Sequence, residues 1–311
     1  MRSDKIDVMN QGCTSRSESG GRFEGQIIMR SPRPAGTRER GRLAHAGFAV
    51  AFLMLGACVP DHPEIPAQQM PKADKAVTPK VAVDIAERER AAGNPAAAIP
   101  FFRRALAMDP RQPKIQQEMG ETMLDAGMPN DAVTTFRALL ATTPNDPAAQ
   151  IGFGMALVQT GQAASAVGPL RKGLAAMPNP RGYRALGVAE NLLGDNLAAE
   201  ADYNRGLALA PGDQGLQTNL GLSMALSGNF SGAISVLRAA AAAPDATAKT
   251  RQNLALALGL AGKSDDAAQI ARIDLDEASV QSNLAYYAQL RSLSPKERTQ
   301  ALLRPGKQGQ Q

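Results

Sequence analysis

NPAAAIPFFRRALAMDP, Asn94 to Pro110, follows Gly93 and lays out a plan that the rest of the chain repeats: a glycine, an alanine, a large apolar residue and a proline stop. Gly93 is followed in register by Gly127, Gly161, Gly194, Gly228 and Gly262, at steps of 34, 34, 33, 34 and 34 residues. Five residues after each stands an alanine: Ala98, Ala132, Ala166, Ala199, Ala233 and Ala267. With 29 glycines in 311 residues, composition alone does not place six of them in such a register. A fixed period near 34 is the mark of a helix–turn–helix repeat array. Such arrays build one continuous core from neighbour contacts and serve recognition more often than catalysis.

Working outward, six repeats fall at 79–112, 113–146, 147–179, 180–213, 214–247 and 248–274. In each, helix A runs to the aligned glycine and helix B follows. The glycine supplies a turn conformation that other residues resist. Position 8 is small (Ala86, Gly120, Gly154, Gly187, Gly221, Ala255), where two helices cross closely. Position 24 is large (Phe102, Phe136, Leu170, Tyr203, Leu237) and fills the gap between repeats. Helix B is expected to stop before Pro110, Pro144, Pro178, Pro211 and Pro244, since proline cannot continue a helix and restricts its predecessor. These positions resemble tetratricopeptide (TPR) units over residues 79–274. The resemblance implies an all-α TPR solenoid. The Trp usual at position 4 and the Tyr usual at 11 are missing, and Ala271 replaces the large residue of repeat six. Residues 275–293, with Leu284, Tyr286, Tyr287 and Leu290, read as a capping helix, because a terminal repeat must cover its open face. Residues 294–311 read as a polar, disordered tail.

The front of the chain carries a different message. From Met29 the arginines Arg30, Arg33, Arg38, Arg40 and Arg42 precede an uncharged run, Ala46 to Ala57. That run is too short to span a bilayer, which needs about 20 apolar residues, and has the size of a signal-peptide core. It ends Leu55-Gly56-Ala57-Cys58, which resembles the lipobox of bacterial lipoproteins. The resemblance implies a signal peptide over 29–57, cleavage before Cys58, and lipidation, including palmitate, on Cys58. Val59 at the next position leans toward the outer membrane and its periplasmic face. Residues 1–28 do not fit this plan, so translation is expected to begin at Met29, leaving them a non-native or disordered extension; Cys13 then has no role. Residues 58–78 are the lipidated Cys and a linker whose Pro60, Pro63, Pro66 and Pro71 deny helix and sheet. At roughly 3.1 Å per residue it reaches about 60 Å.

Charge narrows the class of partner. Residues 1–57 hold nine of the 34 basic and five of the 29 acidic residues, leaving 25 and 24 for the remainder. The repeat body is near neutral and carries no electrostatic footprint for nucleic acid. The two cysteines and two histidines all lie ahead of the array, which excludes a disulfide framework and a His-based metal site or general base within it. Carboxylate pairs such as Glu87/Glu89 and Asp265/Asp266 do not share a helix face. No catalytic set, cofactor site, metal site or small-molecule substrate site is expected; the covalent lipid is the one non-protein group.

What remains is a concave groove, lined in this architecture by helix A positions 2, 5, 9 and 12. The first two repeats put Lys80, Glu87, Arg90, Lys114, Gln117, Glu121 and Leu124 there. Later repeats put Ile151, Met155, Val158, Leu222, Ala225 and Leu256 there. A groove that starts polar and turns apolar fits an amphipathic helix or short apolar segment of a protein partner. The competing assignment for Ile151, Met155 and Val158 is packing against the next helix. Chaperone-type TPR domains grip a terminal carboxylate with a Lys/Asn/Arg set. Asn219, Asn253 and Lys249 are present, but Val83, Glu87, Ala185 and Val188 occupy other clamp places, so that function is not carried over.

The combination of Cys58, a Pro-rich tether and six repeats resembles the outer-membrane TPR lipoproteins of the tight-adherence (Tad, Flp pilus) secretion system, the TadD family. That resemblance implies a non-enzymatic assembly factor binding a pilus-machinery component such as the secretin. Two other roles fit the same features: a lipoprotein scaffolding cell-wall or other envelope enzymes, and a cytoplasmic adaptor if residues 1–28 are translated and block export.

Overall fold

The computed structural model describes residues 78–303. The extension, the signal segment, Cys58, the proline-rich linker up to residue 77 and residues 304–311 lie outside the described residues.

The described chain is a tandem series of α-helices. Six A–B pairs come first: α1 (Pro79–Ala91) with α2 (Pro95–Met108), α3 (Pro113–Asp125) with α4 (Pro129–Thr142), α5 (Pro147–Gln159) with α6 (Ala163–Ala176), α7 (Pro180–Leu193) with α8 (Asn196–Leu209), α9 (Gln214–Ser227) with α10 (Phe230–Ala241), and α11 (Ala248–Leu260) with α12 (Ser264–Ala271). Two further helices follow, α13 (Glu277–Arg291) and α14 (Pro295–Leu303).

Local chemistry fixes the boundaries. Six of the first seven helices open on proline, whose missing N–H would be unpaired at that place anyway. Side-chain caps satisfy other first-turn donors: Thr78 accepts from Val81 N, Asp146 from Ala148 N and Ala149 N, and Asn179 from Gly182 N. The aligned glycines all turn the chain with positive φ, from 72° at Gly127 to 99° at Gly228. The residue after the glycine reaches back to an orphan carbonyl, as in Met128 N to Met123 O and Lys263 N to Leu258 O. Helices α2, α4, α6, α8 and α10 end two or three residues before the expected prolines.

The small–large pairing is the core's repeating unit. A Cβ on Gly187 would meet the Tyr203 ring at 2.5 Å, and one on Gly154 would meet Leu170 at 2.5 Å. Position 24 therefore nests first against position 8 of its own repeat. Phe136 does both jobs: its ring lies against Gly120 of its own repeat and against Gly152 of the next. One apolar cluster runs from Ile99 to Leu302, while Ala86, Ala98 and Phe102 form a small separate cluster in repeat one.

Each A helix packs on its own B helix, and from α3 onward on the A helix of the next repeat as well (α3 on α5, α5 on α7, α7 on α9, α9 on α11). The described residues show no comparable B-to-B packing. The A helices therefore stand closer together and line the inside of the curve.

The C-terminal end departs from expectation in two ways. Helix α12 has eight residues where the other B helices have 12 to 14, and α13 then packs on α11 as a further A helix would. Of residues 294–311, expected to be a disordered tail, Pro295–Leu303 instead form α14. Ser294-Pro295-Lys296-Glu297 is a capping box: Glu297 Oε2 accepts from Ser294 N at 3.0 Å and from Ser294 Oγ at 2.7 Å, and Pro295 stands at the helix start. Helix α14 does not return along α13 as a B helix would; it lies across α7 and α9.

Candidate functional site

The inner face is divided. Its first part is an open cavity of about 610 Å³ between the A helices of repeats one to four. Helix α1 contributes Glu87 and Arg90, α3 Leu124 and Asp125, α5 Met155, Val158 and Gln159, and α7 Arg181, Arg184 and Ala185. Buried Leu124 and Val158 form an apolar floor, and the arginines and carboxylates form the walls. An ion pair crosses the cavity: Arg181 Nη2 lies 2.7 Å from Asp125 Oδ1, reaching from repeat four to repeat two past α5. Arg90 stands 3.9 Å from Glu121, which accepts from Gln117 at 3.0 Å, and Arg184 stands 3.6 Å from Asp213.

The structure thus brings Glu87, Arg90, Leu124, Met155 and Val158 into one site, with Gln117 and Glu121 beside Arg90. Lys80 and Lys114 lie outside it. They edge a separate cleft between α1 and α3 and pair with Asp84 at 3.0 Å and Glu118 at 3.7 Å. Burial raises the Glu118 carboxyl above its usual range, against the pull of Lys114.

Four sequence-assigned residues need correction. Ile151 is 4% exposed and packs under α6 and α7, within reach of Gly173 and Gly182, so it belongs to the core. Leu222, Ala225 and Leu256 are 1%, 0% and 0% exposed. They sit in the later part of the inner face, where the A helices close on one another and α14 lies over α7 and α9. No partner reaches them in this arrangement. Arg181 and Arg184 were missed, although both occupy groove positions, 2 and 5 of repeat four. Asp125, one place beyond position 12, carried no signal of its own.

A buried polar chain runs beneath that later part. Asn191 Nδ2 donates to Tyr203 Oη at 2.9 Å, and Ser223 Oγ lies 2.9 Å from both Asn191 Oδ1 and Asn196 O. Asn196 Nδ2 donates to Thr299 Oγ1 of α14 at 2.8 Å. Burial pushes the Tyr203 hydroxyl well above its usual range, keeping it neutral. Nearby, the Glu190 carboxyl is 2% exposed. Burial pushes it up to about 7, against the hydrogen bond from Arg171 at 2.8 Å, with Asp202 adding to the rise.

Among the described residues no group of three metal-ligating side chains comes together, and no helix is long and apolar enough to cross a membrane. Of the cavity's charged groups, Arg181 and Asp125 pair with each other, while Arg90 and Arg184 pair with Glu121 and Asp213 beyond its lining. What the cavity offers is length, an apolar floor and charges of both signs.

Comparison with known proteins agrees on architecture. The family model described as tetratricopeptide repeat matches residues 89–151 and 123–188. No curated protein gives a significant match to the chain. Among solved structures, PilW, described as a widely conserved type IV pilus biogenesis factor, aligns with a TM-score of 0.56 at 19% identity, covering 66% of this chain and 98% of that one. A tetratricopeptide repeat protein from Parabacteroides merdae aligns with a TM-score of 0.53 at 12% identity, covering 72% and 93%. The APC/C hetero-tetramer Cut9-Hcn1 gives 0.57 at 16% identity, covering 68% of this chain and 43% of that one.

Proposed function

We propose that this all-α tetratricopeptide-repeat protein is a non-enzymatic adaptor that holds a segment of another polypeptide in the open cavity of repeats one to four. The observation that carries this reading is the cavity itself: Leu124, Met155 and Val158 between Glu87 and Arg90 of α1 at one side and Arg181 and Arg184 of α7 at the other, with Asp125 paired to Arg181. Such a surface accepts a segment with an apolar stripe flanked by charge. Repeat solenoids use their concave faces in this way.

The wider proposal joins this site to the amino-terminal signal. A lipid on Cys58 and the linker hold the cavity within reach of the periplasmic face of the outer membrane and raise the effective concentration of a membrane-bound partner. The role is assembly of Flp/Tad pilus secretion machinery, with the secretin or a neighbouring component as partner. The resemblance of the lipobox–tether–repeat plan supports this. The structural likeness to a protein described as a type IV pilus biogenesis factor is one of fold.

A photo-crosslinking residue at Met155, in cells carrying the intact chain, is expected to yield an adduct with an envelope protein that Arg184→Glu removes. The same probe at Leu197, 72% exposed and outside the cavity, serves as control. Identical adducts from both positions would rule out the cavity as the binding surface. Palmitate labelling that persists in Cys58→Ser would rule out the anchor.

A further inference from the structure

Helix α14 is the element that the repeat plan does not require. It has nine residues, below the roughly 12–15 at which isolated helices hold in water. Its helicity therefore depends on where it docks, and it docks on α7 and α9 at the end of repeats four and five where each A helix turns into its B helix. Three side chains do the docking. Leu302, 5% exposed, joins the main apolar cluster. Thr299 Oγ1 accepts from Asn196 at 2.8 Å and donates to Pro295 O at 2.9 Å.

Arg298 is the most informative of the three. The residue is 5% exposed, and its guanidinium has no carboxylate partner among the described residues. It donates instead to carbonyls at two helix ends: Ala225 O at 3.3 Å and Leu226 O at 3.1 Å on α9, and Leu290 O at 3.2 Å and Leu293 O at 3.1 Å at the end of α13. It also stands 5.2 Å from the centre of the Phe230 ring. The end of a helix carries unpaired carbonyls and partial negative charge, so a cation is a favourable guest there. The floor beneath is thus a site built for one arginine and one leucine set a helical turn apart.

We infer that the surface of α7 and α9 beside the turns of repeats four and five is a second polypeptide-binding site, for a short amphipathic helix bearing an arginine, a neighbouring hydroxyl residue and a leucine one turn on, and that α14 is its occupant in cis. A partner helix of that chemistry enters by displacing α14. The apparent affinity for it is reduced by the fraction of molecules in which α14 is docked. This inference is independent of what fills the open cavity of repeats one to four.

The probe is a fluorescent peptide of the chain's own residues 294–303, titrated against the full chain and against full-length Leu302→Glu and Arg298→Ala variants, each checked by its circular dichroism melt. Both variants loosen α14, so the peptide is expected to bind them at least tenfold more tightly than the wild-type chain. A peptide carrying Arg298→Ala is expected to lose at least tenfold on the Leu302→Glu chain. If one variant fails to fold, the other carries the test. Equal binding of the peptide to wild-type and variant chains, no binding to any of them, or indifference to the arginine in the peptide would overturn the inference.

Discussion

Phe136 offers the sharpest test of how the repeats are held together. Its side chain is fully buried. A Cβ on Gly120 would lie 2.7 to 3.0 Å from its ring carbons, and one on Gly152 would come closer still. The ring is thus clasped between helix A of its own repeat and helix A of the next. Phe136→Ala leaves a void at that junction and is expected to cost about 3–5 kcal/mol. Gly152→Ala brings two opposed effects. The added methyl improves helix propensity by about 1 kcal/mol and strains the wild-type contact by about 1–3 kcal/mol. In the Phe136→Ala background the strain disappears and the methyl fills part of the void. The same substitution that is neutral or harmful in the wild type should therefore stabilise the Phe136→Ala chain by about 1 kcal/mol, a coupling of about 1–3 kcal/mol between the two sites. Urea unfolding followed by far-ultraviolet circular dichroism gives the four corners of the cycle. Hydrogen exchange in α3, α4 and α5 shows whether the loss is local, as an array of neighbour contacts requires. Additivity of the two substitutions within about 0.5 kcal/mol would refute the clasp.

Three further outcomes follow from other parts of the molecule. The folded state holds a proton on Glu190 up to about pH 7, whereas an unfolded chain releases it near its usual value. The folded state thus binds the extra proton in between, and stability falls as pH rises from about 4.5 to 7. Urea midpoints at pH 5 and pH 8 should therefore differ less in Glu190→Gln than in the wild type, and equal differences would contradict the assignment. Gly194→Ala forces an alanine into φ 93°. It is expected to lower stability by about 1 kcal/mol or more in a urea melt, and a neutral result would mean that the turn is less fixed than it looks. Arg181→Glu faces Asp125 across the open cavity, with side chains 49% and 36% exposed. It should shift the urea midpoint little, because exposed ion pairs contribute about 0–1 kcal/mol, yet abolish the Met155 crosslink; an undiminished crosslink would remove the arginines from the binding surface.

The repeat path was legible because its determinants are local. Gly127 must turn the chain, Pro144 must stop a helix, and Gly120 must be small because Phe136 is large; each rule acts within one repeat or across one junction. The inner face was legible only in part. Met155 and Val158 could be placed by counting positions, and Arg181 and Arg184 obey the same count and were there to be read. The exposure of Leu222, Ala225 and Leu256 could not be read, because it depends on how tightly the A helices curve and on what lies over them. Helix α14 announced its start through Ser294, Pro295 and Glu297, a capping box in plain view. Its dependence on Asn196 and on the end of α9 joins residues 72 to 103 positions apart, and no periodic pattern encodes that.

Those distant bonds give the molecule unequal compliance. Among the described residues, repeat one packs on its neighbour alone and keeps its own small cluster around Phe102, whereas α14 cross-braces repeats four and five through Arg298 and Thr299. Tension entering at the amino-terminal side meets the weakest joint first. Under load the stack peels singly from that end, like a zipper whose far teeth are riveted, and the braced half keeps its shape.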